Sequence, residues 1–146
     1  MSNSKNNELK ILTNAIKAIE KKKGKRLVQS EENKKIINIL EKFLAKKKLI
    51  CYGGTAINNI LPSKDQFYNK NVELPDYDFF STNALTDAKE LADIYFKENY
   101  EEVEAKSGVH PGTFKVFVNF KAIADVTQLD NNIFKTIKND AIVKDN

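Results

Sequence analysis

The amino-acid sequence predicts an α+β fold: two leading helices, then strand, helix, strand, helix and a closing meander. Three observations predict it. Apolar residues recur at helical spacing over much of the first 48 positions, which sets an amphipathic helical face. Short apolar runs then start and stop against Gly53-Gly54, Pro62 and Pro75, as buried strands and tight turns require. Near the end, Phe114–Val118 and Ala122–Leu129 alternate in polarity across a short turn, the pattern of a hairpin.

Leu9, Ile11, Leu12, Ala15, Ile16 and Ile19 place the first helix at about residues 7–22. Gly24 ends it, and residues 23–29 form a basic linker. Ser30 then suits an N-cap, with Glu31 and Glu32 in the first turn, where the helix dipole favours negative charge. Ile36, Ile37, Leu40, Phe43 and Leu44 supply the second helix with its buried face, and Lys46–Lys48 close it. Residues 49–52 are a short buried strand, 55–61 a short helix stopped by Pro62, and 63–75 a polar loop. Asp76–Phe80 is a strand entered through Pro75, and Leu85, Ala88, Leu91, Ala92, Tyr95 and Phe96 mark another helix. The acidic stretch 100–105 suits an edge strand, a turn follows at 108–112, and 119–121 turns the final hairpin. Residues 130–146 begin a helix and trail into a polar tail. Residues 1–29 are thus expected to be a helix and linker, and 30–146 a single core.

Composition bounds the chemistry. The 146 residues are 41% hydrophobic and 30% charged with 5 Gly and 3 Pro, a globular balance that excludes collagen-like and low-complexity classes. No run of about 18 apolar residues exists to span a membrane, and no apolar segment near the N-terminus resembles a secretory signal. Together with the single cysteine, which fits a reducing compartment, these predict a soluble, intracellular protein with no membrane partner. One cysteine, Cys51, and one histidine, His110, exclude an internal disulfide framework and a structural zinc site. Any metal must therefore sit on carboxylates. The net charge of +4 hides an asymmetry: residues 1–50 carry 14 basic against 5 acidic groups, and residues 51–146 carry 10 against 15. The lysine clusters at 21–23 and 46–48 can follow a phosphate backbone or form a solvated helix face.

Three features point to chemistry. Gly53-Gly54-Thr55 lies between a strand and a helix, where a bare backbone and free N–H groups suit phosphate; alone, the same pair is an ordinary turn. It matches neither the dinucleotide fingerprint nor the Walker A loop. In Asp76-Tyr77-Asp78, the two acids share one strand face and repel each other unless a cation or proton intervenes. Oxygen-only donors select hard ions such as Mg²⁺ or Mn²⁺; alternatively the pair is simply exposed. Asp125, set among Ile123, Ala124 and Val126, is costly on a central strand without a partner. If the hairpin packs beside the Asp76 strand, Asp125 completes a carboxylate triad; otherwise it is an acid at a strand end.

Glycine turn, Asp-x-Asp and a third Asp on a later strand resemble the layout of the nucleotidyltransferase superfamily, the polymerase-β-like fold. The segments Cys51–Asn58, Leu74–Ser81 and His110–Thr127 resemble, more narrowly, the poly(A) polymerase catalytic subunits of large cytoplasmic DNA viruses. The resemblance covers roughly residues 30–135. It implies that Gly53, Gly54 and Thr55 hold the triphosphate of ATP, and that Asp76 and Asp78 bind two Mg²⁺ or Mn²⁺ ions. Asp125 would complete one metal site and orient or deprotonate the RNA 3′-hydroxyl, so that AMP passes from ATP to RNA. The implied partners are an RNA 3′ end and ATP, with a processivity subunit or a second copy of the chain as companions. The implied setting is the host cytoplasm, virus factory or virion. The family carries further domains after the catalytic one, which this sequence lacks. Two alternatives keep the fold: a minimal nucleotidyltransferase acting on protein or tRNA, and a non-catalytic RNA-binding fragment.

Tyr52, Phe67, Tyr68 and Tyr77 could stack on a base, although aromatic residues near strands are more often core. Asn58 and Asn59 follow the glycine turn closely enough to reach a nucleotide. Lys64 and Lys70 could touch phosphate from the long loop, where solvated lysines are the commoner case. His110 suits a structural or surface role, and Cys51 that of a small buried hydrophobe.

Overall fold

The helical periodicity of the first 48 residues is realised as one uninterrupted helix, α1 (Ser2–Lys47), in place of the two helices and basic linker expected. The computed structural model describes residues 2–69 and 73–143, with side chains from residue 4. Gly24 lies inside α1 with open space around it, where glycine costs only ~1 kcal/mol relative to alanine. The lysines and arginine on either side are good helix formers, so Ser30, Glu31 and Glu32 continue the helix instead of starting one. The helix stops when Lys48 takes a left-handed φ of 55° and the Leu49 N–H donates to the Leu44 carbonyl at 3.1 Å. That six-to-one bond is a Schellman turn, with lysine where glycine is usual.

The remaining elements follow the expected order: β1 (Ile50–Tyr52), α2 (Gly53–Ile60), β2 (Tyr77–Ser81), α3 (Ala84–Lys97), β3 (Glu104–Ser107), β4 (Thr113–Val118), β5 (Lys121–Gln128) and α4 (Asn131–Asn139). They build a mixed α+β molecule around one five-stranded sheet of order β1-β2-β5-β4-β3. The last three strands are the expected antiparallel meander. β5 then lies parallel to β2, and β1 pairs antiparallel on the far edge. The edge strand β3 begins at Glu104, four residues later than the sequence predicts, because Asn99 and Glu102 adopt φ of 63° and 48° and cannot extend.

Alternation along the strands sorts the sheet into two faces. Tyr77, Phe79, Val116, Val118, Ala124 and Val126 point to one, which is fully buried. α3 covers that face with Ala84, Ala88, Leu91 and Tyr95, and the second half of α1 closes the layer with Ile36, Ile37, Leu40, Phe43 and Leu44. Polar handles of the buried tyrosines reach α1: Tyr95 Oη donates to the Ile36 carbonyl at 2.6 Å, and Tyr77 Oη donates to Glu41 Oε1 at 2.7 Å. Lys47 ties α1 to α3 through ion pairs with Asp87 and Glu90. The opposite face carries Asp78, Asp125, Lys115 and Thr127 beside the aromatic pair Tyr52 and Phe80, and it holds the site.

The β4–β5 hairpin turns on Asn119 and Phe120, both at positive φ (51° and 65°). Asparagine tolerates this; an exposed phenylalanine does not, and left-handed backbone costs a Cβ-bearing residue ~1 kcal/mol or more. Phe120→Gly is expected to stabilise the fold by about 1 kcal/mol, raising Tm by ~3 °C. A calorimetric or circular-dichroism melt checks it, and a lower Tm would show that the Phe120 ring contributes packing instead.

Candidate active site

The site is a row of side chains laid across four strands by register. Tyr52 on β1 stands opposite Asp78 on β2, Asp78 opposite Asp125 on β5, and Asp125 opposite Lys115 on β4. Partners in register point to the same face, with strands ~4.8 Å apart. Asp76, two residues before Asp78, joins the row just ahead of β2. The structure thus brings Asp76, Asp78 and Asp125 to one face of one sheet, the condition on which the triad depended.

The glycine turn is built against that row. Gly53 opens α2 at φ +75°, and a Cβ there would lie 2.7 Å from Asp78 Oδ2. A Cβ on Gly54 would lie 2.9 Å from the Tyr68 hydroxyl. Close approach and a left-handed backbone together require glycine at 53, whereas at 54 the Tyr68 side chain would have to move. Thr55 is buried, and its hydroxyl donates to the Asp76 carbonyl at 2.7 Å, tying the turn to the strand that bears the acids. No side chain caps the N-terminus of α2, whose N-cap residue is Tyr52. Its first N–H groups carry the positive end of the helix dipole, the arrangement that receives phosphate.

Asn58, fully buried in α2, fixes the following loop: its Oδ1 accepts from the Phe67 and Tyr68 N–H groups at 2.7 and 3.0 Å. That bond pair seats Tyr68 over Gly54 with Phe67 tilted against it, ring centroids 4.7 Å apart. Across the row, Tyr52 stacks on Phe80 at 4.0 Å, and its hydroxyl lies 3.0 Å from Thr127 Oγ1. Tyr77 by contrast is core. His110 is exposed in the turn before β4 and Lys64 in the turn after α2; Lys70 lies outside the described residues. Cys51 is half-buried on β1, its thiol pushed up to about 11 by desolvation and then by Glu41 and Asp78, so it is an inert neighbour.

The residue that sequence reasoning missed is Lys115. Its Nζ bridges both oxygens of Asp125, at 2.8 and 2.9 Å. Alternation held the signal: once Phe114–Val118 and Ala122–Leu129 form a hairpin, Lys115 is the residue across from Asp125. The pair screens the row only in part. Asp76, though open to solvent, is pushed up to about 6, first by desolvation of its carboxyl and then by the negative charges of Asp125 and Asp78, against the pull of Lys115. Asp78 is raised by desolvation and by Asp125. Lys115 is itself raised, chiefly by its bond to Asp125.

The row suits a hard divalent ion in its donor chemistry: oxygen only, with acids that resist carrying their charges together. Among the described residues, no three His, Cys, Asp or Glu side chains converge tightly enough to hold an ion unaided. Such a site fits an ion that takes its remaining ligands from phosphate, as Mg²⁺ does.

The raised Asp76 gives a pH dependence with a definite sign. A carboxyl whose folded pKa exceeds its unfolded value favours the fold while protonated, and that contribution fades as pH rises from about 4 through about 6. In metal-free buffer Asp76→Asn should therefore raise Tm above pH 6 and leave it unchanged near pH 4. Because the residue is exposed, the gain is screened to about 1 kcal/mol or less. Melts at the two pH values check this; a destabilised variant at pH 7 would mean that the Asp76 charge is already compensated.

A mixed sheet carrying acids on two neighbouring parallel strands, beside a glycine turn at a helix N-terminus, is the layout that the nucleotidyltransferase resemblance implies. Residues 38–146 match the family model described as "Poly(A) polymerase catalytic subunit". The chain belongs to the poly(A) polymerase catalytic subunit family. Two viral relatives carry that name provisionally. One, from African swine fever virus (strain Badajoz 1971 Vero-adapted), is 37% identical over 113 residues, 77% of this chain and 24% of the relative. The other, from Acanthamoeba polyphaga mimivirus, is 32% identical over 117 residues, 76% of this chain and 20% of the relative. The crystal structure of the Megavirus polyadenylate synthase superposes with a TM-score of 0.68 at 28% identity, over 77% of this chain and 24% of that one. The chain spans about a fifth to a quarter of the length of these relatives. No helix among the described residues is long and apolar enough to cross a membrane.

Proposed function

We propose that this chain is the nucleotide-binding catalytic core of a poly(A) polymerase that moves AMP from ATP to an RNA 3′-hydroxyl. The observation that carries the proposal is the placement of Gly53 against Asp78, with Asp125 next in register. It sets a phosphate-receiving helix end and a pair of acids side by side on a rigid sheet. The N–H groups of Gly53, Gly54 and Thr55 bind the triphosphate, and the Thr55 hydroxyl holds that turn at a fixed distance from Asp76. Asp76 and Asp78 are the ligands for Mg²⁺ or Mn²⁺, and Asp125 completes the set. Bound divalent metal supplies charge neutralisation at the triphosphate and a lowered pKa for the attacking hydroxyl. Asp125 orients the 3′-hydroxyl and receives its proton, and Lys115 holds the Asp125 carboxylate in place for that task. The 3′-oxygen forms its bond to the α-phosphorus while the bond to the bridging oxygen breaks, and pyrophosphate leaves.

The test separates this reading from its alternatives. Supplied with Mn²⁺, an oligo(A) RNA primer and each ribonucleoside triphosphate in turn, the protein should lengthen the primer with ATP. Label from ATP appearing on tRNA or protein without primer growth would assign a different acceptor. RNA binding that proceeds equally without metal, and without any transfer, would leave only a binding module.

A further inference from the structure

The N-terminal arm of α1 carries a second, separate signal. Leu9, Leu12, Ile16 and Ile19 follow a three-four-three spacing, the a and d positions of two heptads. All four are between 47 and 67% exposed. The next positions in the same phase are Lys23, Arg26, Ser30 and Asn33, so the seam is cut off by polar residues from the buried Ile37, Leu40 and Leu44 of the same helix. Because α1 is continuous, the arm cannot fold back on its own sheet. The seam also lies outside the residues that match the family model, 38–146. It has no part in the row of acids.

We propose that this seam pairs with the same seam of a second copy of the chain, antiparallel. Flanking charge selects both the partner and the direction. With Leu9 at a, Glu8 and Lys22 occupy g positions, Ala15 lies between them, and all three are exposed. In an antiparallel pair g faces g, so Glu8 of each chain meets Lys22 of the other and Ala15 meets Ala15 at the two-fold axis. Core layers then match Leu9 with Ile19 and Leu12 with Ile16, each twice. A parallel pair would set Glu8 against Thr13, Ala15 against Glu20 and Lys22 against Leu27, with no opposite charges. The antiparallel register holds the two sheets at opposite ends of the paired arms, roughly 50 Å apart at 1.5 Å of rise per residue, so the bodies do not collide.

Sedimentation velocity on the whole chain over a concentration series, in reducing buffer, tests it. The parent should pass from monomer to dimer. Leu12→Lys/Ile16→Lys should weaken association at least ~100-fold, with an unchanged circular-dichroism spectrum, since both positions are exposed. Glu8→Lys and Lys22→Glu should each weaken self-association about 10-fold, and an equimolar mixture of the two should dimerise again, because their g positions are complementary. A chain that stays monomeric throughout, as it would if the seam serves another segment of a longer protein or a different partner, overturns the proposal. So does a dimer indifferent to Leu12→Lys/Ile16→Lys. Charge variants that fail to rescue one another overturn the antiparallel register.

Discussion

Asp78→Asn is expected to lower AMP transfer by at least ~10³-fold, about 4 kcal/mol of transition-state stabilisation, while leaving Tm within ~3 °C of the parent. The two halves of that expectation have separate causes. Asp78 is at the centre of the row, flanked in register by Tyr52 and Asp125 and faced by Gly53, so no other side chain can take its place. Asparagine keeps the shape but offers one weak oxygen in place of a charged pair, which a hard ion tolerates poorly. Stability is spared because Asp78 is raised by desolvation and by Asp125. Its charge opposes the fold, and removing it relieves repulsion. Steady-state primer extension beside a thermal melt measures both. A variant that extends RNA like the parent would remove Asp78 from the catalytic machinery.

Gly53→Ala should damage the same activity without touching any acid. At φ +75° an added Cβ meets a left-handed backbone penalty of roughly 1–2 kcal/mol. The same Cβ would stand 2.7 Å from Asp78 Oδ2, so the carboxylate must move. A displacement near 1 Å in a reacting constellation costs ~10²-fold in rate, and that loss is expected here, together with a lower Tm. Gly54→Ala is the internal control: its Cβ meets the Tyr68 hydroxyl at 2.9 Å, and Tyr68 sits on a partly exposed loop that can yield. The Gly54 variant should lose less than the Gly53 variant. Equal losses would point to the N–H groups of the turn, and not the Asp78 carboxylate, as the sensitive element.

Much of this site was legible in the chain because its parts are local. Paired glycines between an apolar run and a helix, and two acids at i and i+2, are patterns that neighbouring residues settle among themselves. The hairpin was legible for the same reason, since two alternating runs separated by a short turn pair with each other. What joins them was not legible. The contact between Asp78 and Asp125 depends on a parallel pairing across 47 residues, and no local rule fixes which strand lies beside β2. Lys115 escaped notice because a lysine on an alternating strand looks solvated until its cross-strand partner is known. The continuity of α1 was misread by giving Gly24 the weight of a break, when an exposed helix among lysines absorbs its ~1 kcal/mol. The late start of β3 rests on the left-handed Asn99 and Glu102, which composition does not announce.

The most direct test of the central claim, that the glycine turn and the acid row form one nucleotide site, is calorimetric titration of ATP into this chain with and without Mn²⁺. The account predicts saturable binding that requires Mn²⁺, disappears in Asp78→Asn, and weakens as pH falls through about 6, where Asp76 takes up a proton. Binding of equal strength without Mn²⁺, or unchanged in Asp78→Asn, would contradict it.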